Sequence, residues 1–160
     1  MLGGARSGKS VFAERLAAEC GSPVLYVATA TAGDAEMAAR IERHRARRDP
    51  GWRTLEVTRE VAAGVEAQLD DARTVLLEDL TLLLANTLDE DGAWAEVQRL
   101  LALPAHVVLV SNEVGMGVVP EYPLGRQFRD ALGRLNQYAA ASAGEVYFLV
   151  AGLPLRLKPS

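Results

Sequence analysis

The strongest constraint on this chain stands at its start, where Met1-Leu2 leads into Gly3-Gly4-Ala5-Arg6-Ser7-Gly8-Lys9-Ser10. Two glycines separated by four residues and followed by Lys-Ser match the pattern that wraps backbone N–H groups around phosphates. Lys9 adds a point charge and Ser10 offers a hydroxyl to Mg²⁺. The run Lys9–Cys20 reads as a helix, with Val11, Phe12, Ala13 and Leu16 on an apolar face and Gly21 as its stop. The loop therefore opens a helix N-terminus, where the dipole favours anions. Such a loop is expected to follow a buried strand, and only Met1 and Leu2 precede it, so the first strand reads as largely missing.

The 160 residues suit one domain, residues 1–160, with a full core. Seventeen basic and 21 acidic side chains leave a net charge of −4, which argues against a general nucleic-acid binder. Cys20 has no second cysteine for an internal disulfide, and no signal peptide or apolar run of spanning length is evident. A reducing, cytoplasmic setting is expected.

Strand and helix signals then alternate. Val24–Ala30 is a β-rich apolar run whose carboxyl end carries Thr29 and Thr31. Ligands of open α/β sheets bind beyond strand carboxyl ends, so these hydroxyls suit either a nucleotide or an ordinary strand end. Asp34 caps an expected helix from about Ala35 to Arg48. On it Met37, Ile41 and His44 fall at i, i+4 and i+7. Arg40, Arg47 and Arg48 lie within one turn of His44, and Arg43 and Arg45 complete five arginines in nine residues. Guanidinium groups suit phosphate oxygens, and positive neighbours disfavour an imidazolium, keeping His44 in the neutral form a nucleophile needs. A solvated basic helix with a half-buried histidine fits the same residues.

Arg53–Val57 is a second strand reading, with Glu56 near its end as either a guanine acceptor or an exposed strand carboxylate. A helix follows from about Arg59 to Leu69, capped by Thr58. Val75-Leu76-Leu77-Glu78-Asp79 is an apolar strand ending in two acids, the form in which nucleotide-hydrolysing folds hold Mg²⁺. Alternation leaves open whether Glu78 or Asp79 faces the metal and which one caps the Thr81–Leu88 helix. A helix at Ala93–Leu103, a strand at Val107–Val110 and a Gly-containing loop from Val114 to Pro120 come next. His106 sits at the amino end of its strand, away from the expected ligand side. Leu124–Ala143 is the longest helix, with Leu124, Phe128, Ala131, Leu132, Leu135 and Tyr138 on its apolar stripe and Asn136 on another face. Val146–Val150 closes the sheet, and Leu153–Leu157 adds an edge strand. The alternation predicts a mostly parallel α/β sheet flanked by helices.

Several of these segments together resemble one family. The glycine-rich start, Glu36-Met37 with Arg40-Ile41 and Arg43-His44-Arg45, Trp52-Arg53-Thr54, the Leu-Leu-Glu strand, Asn112-Glu113-Val114-Gly115-Met116-Gly117 and Gly133-Arg134 with Asn136-Gln137 are similar to the bifunctional adenosylcobinamide kinases/adenosylcobinamide-phosphate guanylyltransferases of cobalamin synthesis. The resemblance implies a RecA-like P-loop fold and two reactions, phosphorylation of a corrinoid hydroxyl by ATP or GTP and GMP transfer from GTP through a guanylylated histidine. It implies catalytic roles for His44 and Lys9, with Ser10 and Glu78 at Mg²⁺. The nucleotide would meet Gly3, Gly4, Ala5, Arg6, Ser7, Gly8, Lys9, Ser10, Thr29, Ala30, Thr31, Arg47, Arg48, Glu56 and Glu78. A homotrimer acting on adenosylcobinamide is implied as well. Family members carry a short apolar strand before the glycines and often a small neutral residue at the position of Asp79. A RecA-like ATPase acting on nucleic acid and a nucleotide-binding module without catalysis are the competing readings.

Overall fold

A computed structural model describes residues 1–87 and 89–158, with the side chains of Met37 and Arg40 set aside. The elements run β1 (Leu2–Gly3), α1 (Lys9–Cys20), β2 (Val24–Ala28), α2 (Ala35–Arg47), β3 (Arg53–Glu56), α3 (Val61–Gln68) and β4 (Thr74–Glu78). They continue with α4 (Leu80–Thr87), α5 (Glu90–Leu101), β5 (His106–Val110), α6 (Pro123–Ser142), β6 (Val146–Val150) and β7 (Leu153–Lys158).

Strands β3, β2, β4 and β5 pair in that order and all run parallel, while β1 pairs parallel with β6 and β6 antiparallel with β7. Met1 joins the two groups. Its ammonium donates to the Leu109 carbonyl at 2.8 Å, its carbonyl accepts from Ser111 N–H at 2.9 Å, and the Gly3 carbonyl accepts from Glu113 N–H at 3.1 Å. These are the slanted bonds of a parallel ladder, so the strand order is β3-β2-β4-β5-β1-β6-β7. The first strand is reduced to two residues, yet it holds a central place between β5 and β6. The expected mostly parallel, helix-flanked sheet is what forms.

Alternation along each strand divides the core between the two faces. Leu25, Val27, Val75 and Leu77 pack with Leu83, Val97, Leu132 and Leu135 from the helices on one side. Val24, Tyr26, Leu76 and Val108 pack on the other side against Ala13 and Ala17 of α1. Alanines at i and i+4 bring α1 close to the sheet, and with it the loop that precedes the helix.

Several local expectations change. Thr58 does not cap α3: Glu60 holds the N-cap position, and Glu96 of α5 accepts from Ala62 N–H at 2.5 Å. A carboxylate from a neighbouring helix answers the free N–H groups and the positive dipole end there. Helix α5 starts earlier than Ala93 because Asp89 accepts from Gly92 N–H at 2.8 Å. Val11 and Leu124 are exposed rather than apolar-face residues, whereas Asn136 is buried. The Asn136 amide accepts from Ser111 Oγ at 2.6 Å and donates to the Asn112 carbonyl at 3.1 Å, tying α6 to the chain leaving β5. The expected end of α4 at Leu88 lies outside the described residues.

Candidate active site

The site forms where β1, β2, β3, β4 and β5 release the chain at their carboxyl ends. After β1 the glycine-rich segment turns tightly into α1. Gly3 takes φ 155°, and a Cβ there would lie 2.6 Å from the Leu149 carbonyl oxygen and 2.7 Å from Ser7 Oγ. Gly8 takes φ 96° as N-cap of α1, a left-handed conformation that glycine adopts without a Cβ penalty. Gly152 N–H, in the β6–β7 turn, donates to the Ser7 carbonyl at 2.9 Å and buttresses the loop from outside. Lys9 is 7% exposed, and its Nζ donates to the Gly4 carbonyl at 2.8 Å across the loop.

Ser10 reaches β4 directly, its hydroxyl donating to Glu78 Oε1. The other oxygen, Oε2, accepts from the Tyr26 hydroxyl at 2.7 Å. Tyr26 is almost fully buried, and burial followed by the Glu78 charge pushes its phenol well above the ordinary range. The phenol therefore stays protonated and remains a donor.

The two acids at the end of β4 divide their roles. Glu78 turns toward Ser10, whereas Asp79 turns into the protein: Oδ1 accepts from Leu82 N–H at 2.8 Å and Oδ2 from Asn112 Nδ2 at 3.2 Å. Asp79 is thus a cap of α4. Burial raises its carboxyl above the usual carboxylate range, with Leu82 N–H pulling the other way and Glu78 adding to the rise.

Thr29 is fully buried and its hydroxyl is committed to the backbone. It accepts from Asp79 N–H at 2.9 Å and shares its proton between the Glu78 and Asp79 carbonyls, each at 3.1 Å. It orients the end of β4 from behind. Ala30 and Thr31 instead line a cavity of about 720 Å³ together with Ala5, His44, Arg48, Glu56 and Glu78. Arg47 and the phosphate loop apart from Ala5 lie outside this wall.

Helix α2 covers one side of that cavity. His44 Nδ1 lies 3.8 Å from Glu78 Oε1, so a carboxylate stands beside the ring. Arg45, Arg47 and Arg48 each meet a partner. Arg45 pairs with Glu56 and Glu42, and both partners push its guanidinium further up. Arg47 forks onto Glu14 of α1 at 2.9 and 3.1 Å. Arg48 lies over the Tyr26 ring, 3.8 Å from its centroid. The side chains of Arg40 and Met37 lie outside those described. Of the five arginines in the sequence reading, Arg45 and Arg47 are spent on glutamates and Arg48 stacks on Tyr26. His106 is exposed at the amino end of β5 and lines a different cavity of about 510 Å³.

Tyr26 went unnoticed as a site residue because it sits inside an apolar strand. A phenol in a buried strand nevertheless needs a hydrogen-bond partner, and that requirement was legible. Asn112 and Asn136, which brace Asp79 and the chain beyond β5, entered the sequence reading only as part of the family resemblance.

Residues 1–157 match the family described as cobinamide kinase / cobinamide phosphate guanyltransferase. The chain belongs to that family. It is 49% identical over 165 residues to the bifunctional adenosylcobalamin biosynthesis protein CobP of Pseudomonas aeruginosa, covering 99% of this chain and 95% of that relative. It is also 45% identical to CobU of Escherichia coli K12 and 43% identical to CobU of Salmonella typhimurium, each over 178 residues, 99% of this chain and 98% of the relative. These relatives bear the same bifunctional adenosylcobalamin biosynthesis name. For this kinase/guanyltransferase chain, the donors at Ser10 and Glu78 suit a magnesium ion. A hydroxyl and a carboxylate are hard oxygen ligands, and Mg²⁺ prefers one or two such groups completed by phosphates and water. Among the described residues no group of three or more His, Cys, Asp or Glu could hold a metal ion.

Proposed function

We propose that residues 1–160 form one nucleotide-binding transferase domain that carries out two consecutive reactions in cobalamin biosynthesis. In the first, ATP or GTP phosphorylates a hydroxyl of adenosylcobinamide. In the second, GMP passes from GTP to adenosylcobinamide phosphate through His44, giving adenosylcobinamide-GDP and pyrophosphate. The observation that supports this reading best is the cavity that brings together His44, Glu78 and Arg48 with Ala5 of the phosphate loop beyond the strand ends.

The phosphates would lie against the loop Gly3–Ser10, whose N–H groups and helix end favour anions. Lys9 would exchange the Gly4 carbonyl for phosphate oxygens. Mg²⁺ held by Ser10 and Glu78 would neutralise charge building on the phosphates. For the guanylyl step, Glu78 beside Nδ1 orients the ring so that Nε2 carries the lone pair. That nitrogen forms a bond to the α-phosphorus as the bond to the leaving pyrophosphate oxygen breaks. The corrinoid phosphate oxygen then attacks the same phosphorus and releases the histidine. The covalent intermediate splits one difficult transfer into two easier ones. Arg48, Glu56, Ala30 and Thr31 would frame the nucleotide, with Glu56 accepting from a guanine edge once it leaves Arg45.

A cytoplasmic enzyme is the setting that fits, since among the described residues no helix is long and apolar enough to cross a membrane. Leu153, Leu155 and Leu157 of β7 are exposed, which supports a homo-oligomer, a trimer being the expected form, and sedimentation velocity reads it directly. The reading as a whole is tested by incubating the protein with adenosylcobinamide, nucleoside triphosphate and Mg²⁺ and following phosphorylated corrinoid. Absence of metal-dependent product contradicts it.

A further inference from the structure

We propose that Tyr26 is a positioning residue serving both halves of the nucleotide site: its hydroxyl fixes the carboxylate of Glu78, and its ring seats the guanidinium of Arg48. The proposal rests on the functional reading above and adds a residue to it.

The sheet register makes the first contact. Tyr26 is opposite Leu76 across the β2–β4 ladder, so Glu78, two residues further on, is its diagonal neighbour on the same face. A tyrosine is long enough to span that diagonal, and its hydroxyl meets Oε2 at 2.7 Å while Ser10 meets Oε1. Each carboxylate oxygen thus has its own donor. A carboxylate with a single donor pivots about its terminal torsion, whereas two donors on opposite oxygens fix its plane. Fixing that plane aims Oε1 at the space it shares with Ser10, where a metal ion would sit.

The second contact is on the ring face. Arg45 and Arg47 are neutralised by glutamates, but Arg48 is held against the cavity by stacking 3.8 Å over Tyr26. Its Nε is buried with no hydrogen-bond partner, and the side chain lines the cavity. A guanidinium held by an aromatic face keeps its charge for an anion, which a carboxylate partner would not allow. One side chain therefore couples the metal side of the site to the phosphate side.

The two contacts separate by mutation. Tyr26→Phe keeps the ring and deletes the hydroxyl, and Tyr26→Leu removes both. Each variant is checked for folding by circular dichroism. GTP affinity is then measured in EDTA by equilibrium dialysis, and Mn²⁺ affinity of the GTP complex by electron paramagnetic resonance. Tyr26→Phe is expected to bind metal-free GTP within about 2-fold of the native protein and to bind Mn²⁺ roughly 10-fold more weakly, the scale of losing a partner behind a metal ligand. Tyr26→Leu is expected to lose, in addition, roughly 5-fold in metal-free GTP affinity, the scale of a lost cation–π contact. Should Tyr26→Leu fail to fold, Arg48→Gln placed in the Tyr26→Phe background supplies the same loss of metal-free affinity. The proposal is overturned if Tyr26→Phe leaves Mn²⁺ affinity unchanged, or weakens metal-free GTP binding as much as Tyr26→Leu does. A native protein that binds no GTP at all would instead overturn the functional reading beneath it.

Discussion

His44 and Glu78 face each other across the site, Nδ1 to Oε1 at 3.8 Å, and that same oxygen accepts the hydroxyl of Ser10. One carboxylate at the end of β4 thereby touches both the helix bearing the proposed nucleophile and the loop proposed to hold the phosphates. The contact joins the two parts of the proposed site through a single side chain.

The ammonium of Met1 yields a prediction about stability. It is buried between β5 and β1 on the Leu109 carbonyl, and burial, followed by the charge of Lys9, lowers its pKa from about 8 to about 6. Between those values the unfolded chain binds more protons than the folded one, so stability rises as pH increases from about 6 to 8 and is level above that. Two units correspond to roughly 2.7 kcal/mol. Urea unfolding of a polypeptide beginning at Met1, run from pH 5.5 to 8.5, checks the slope. Adding about five apolar residues ahead of Met1, a typical strand length, replaces the ammonium with a peptide N–H. The slope is then expected to vanish and the melting temperature to rise.

Glycine at position 3 is required by contact rather than by motif alone. Gly3→Ala would press a Cβ against the Leu149 carbonyl and Ser7, a clash of about 1–3 kcal/mol. Gly4 has nothing within 4 Å of an added Cβ, so Gly4→Ala is expected to melt like the native protein. Equal melting temperatures for the two variants would contradict the loop geometry.

Lys9→Ala removes the buried ammonium from the phosphate loop. Kinase turnover is expected to fall by roughly 30-fold or more, the scale of about 2 kcal/mol for losing such a group. Circular dichroism confirms that the variant is folded. Unchanged turnover in a folded variant would remove the loop from catalysis.

How much of this was legible beforehand follows the range of each interaction. The phosphate loop, the strand ending in Glu78 and the alternating sheet are local patterns, and the folded chain keeps them. The partition of Glu78 toward Ser10 and Asp79 into a cap was not legible, because alternation places the residues without naming their partners. The partners of the α2 arginines were not legible for the same reason: Glu14, Glu42 and Glu56 claim Arg47 and Arg45, and two of those glutamates come from other elements. Thr29 suited either a nucleotide or an ordinary strand end, and the backbone of the neighbouring strand takes its hydroxyl. Tertiary partners decide such cases, and a single sequence holds them only implicitly.

The central claim is that His44 carries the guanylyl group, and one labelling experiment reads it. The native protein, His44→Ala and His106→Ala are incubated with α-³²P-GTP and Mg²⁺ and resolved on a denaturing gel. Label that is acid-labile and alkali-stable, as a phosphoramidate is, should mark the native protein and His106→Ala and be absent from His44→Ala. Label persisting without His44, or equal labelling by γ-³²P-GTP, would contradict the account.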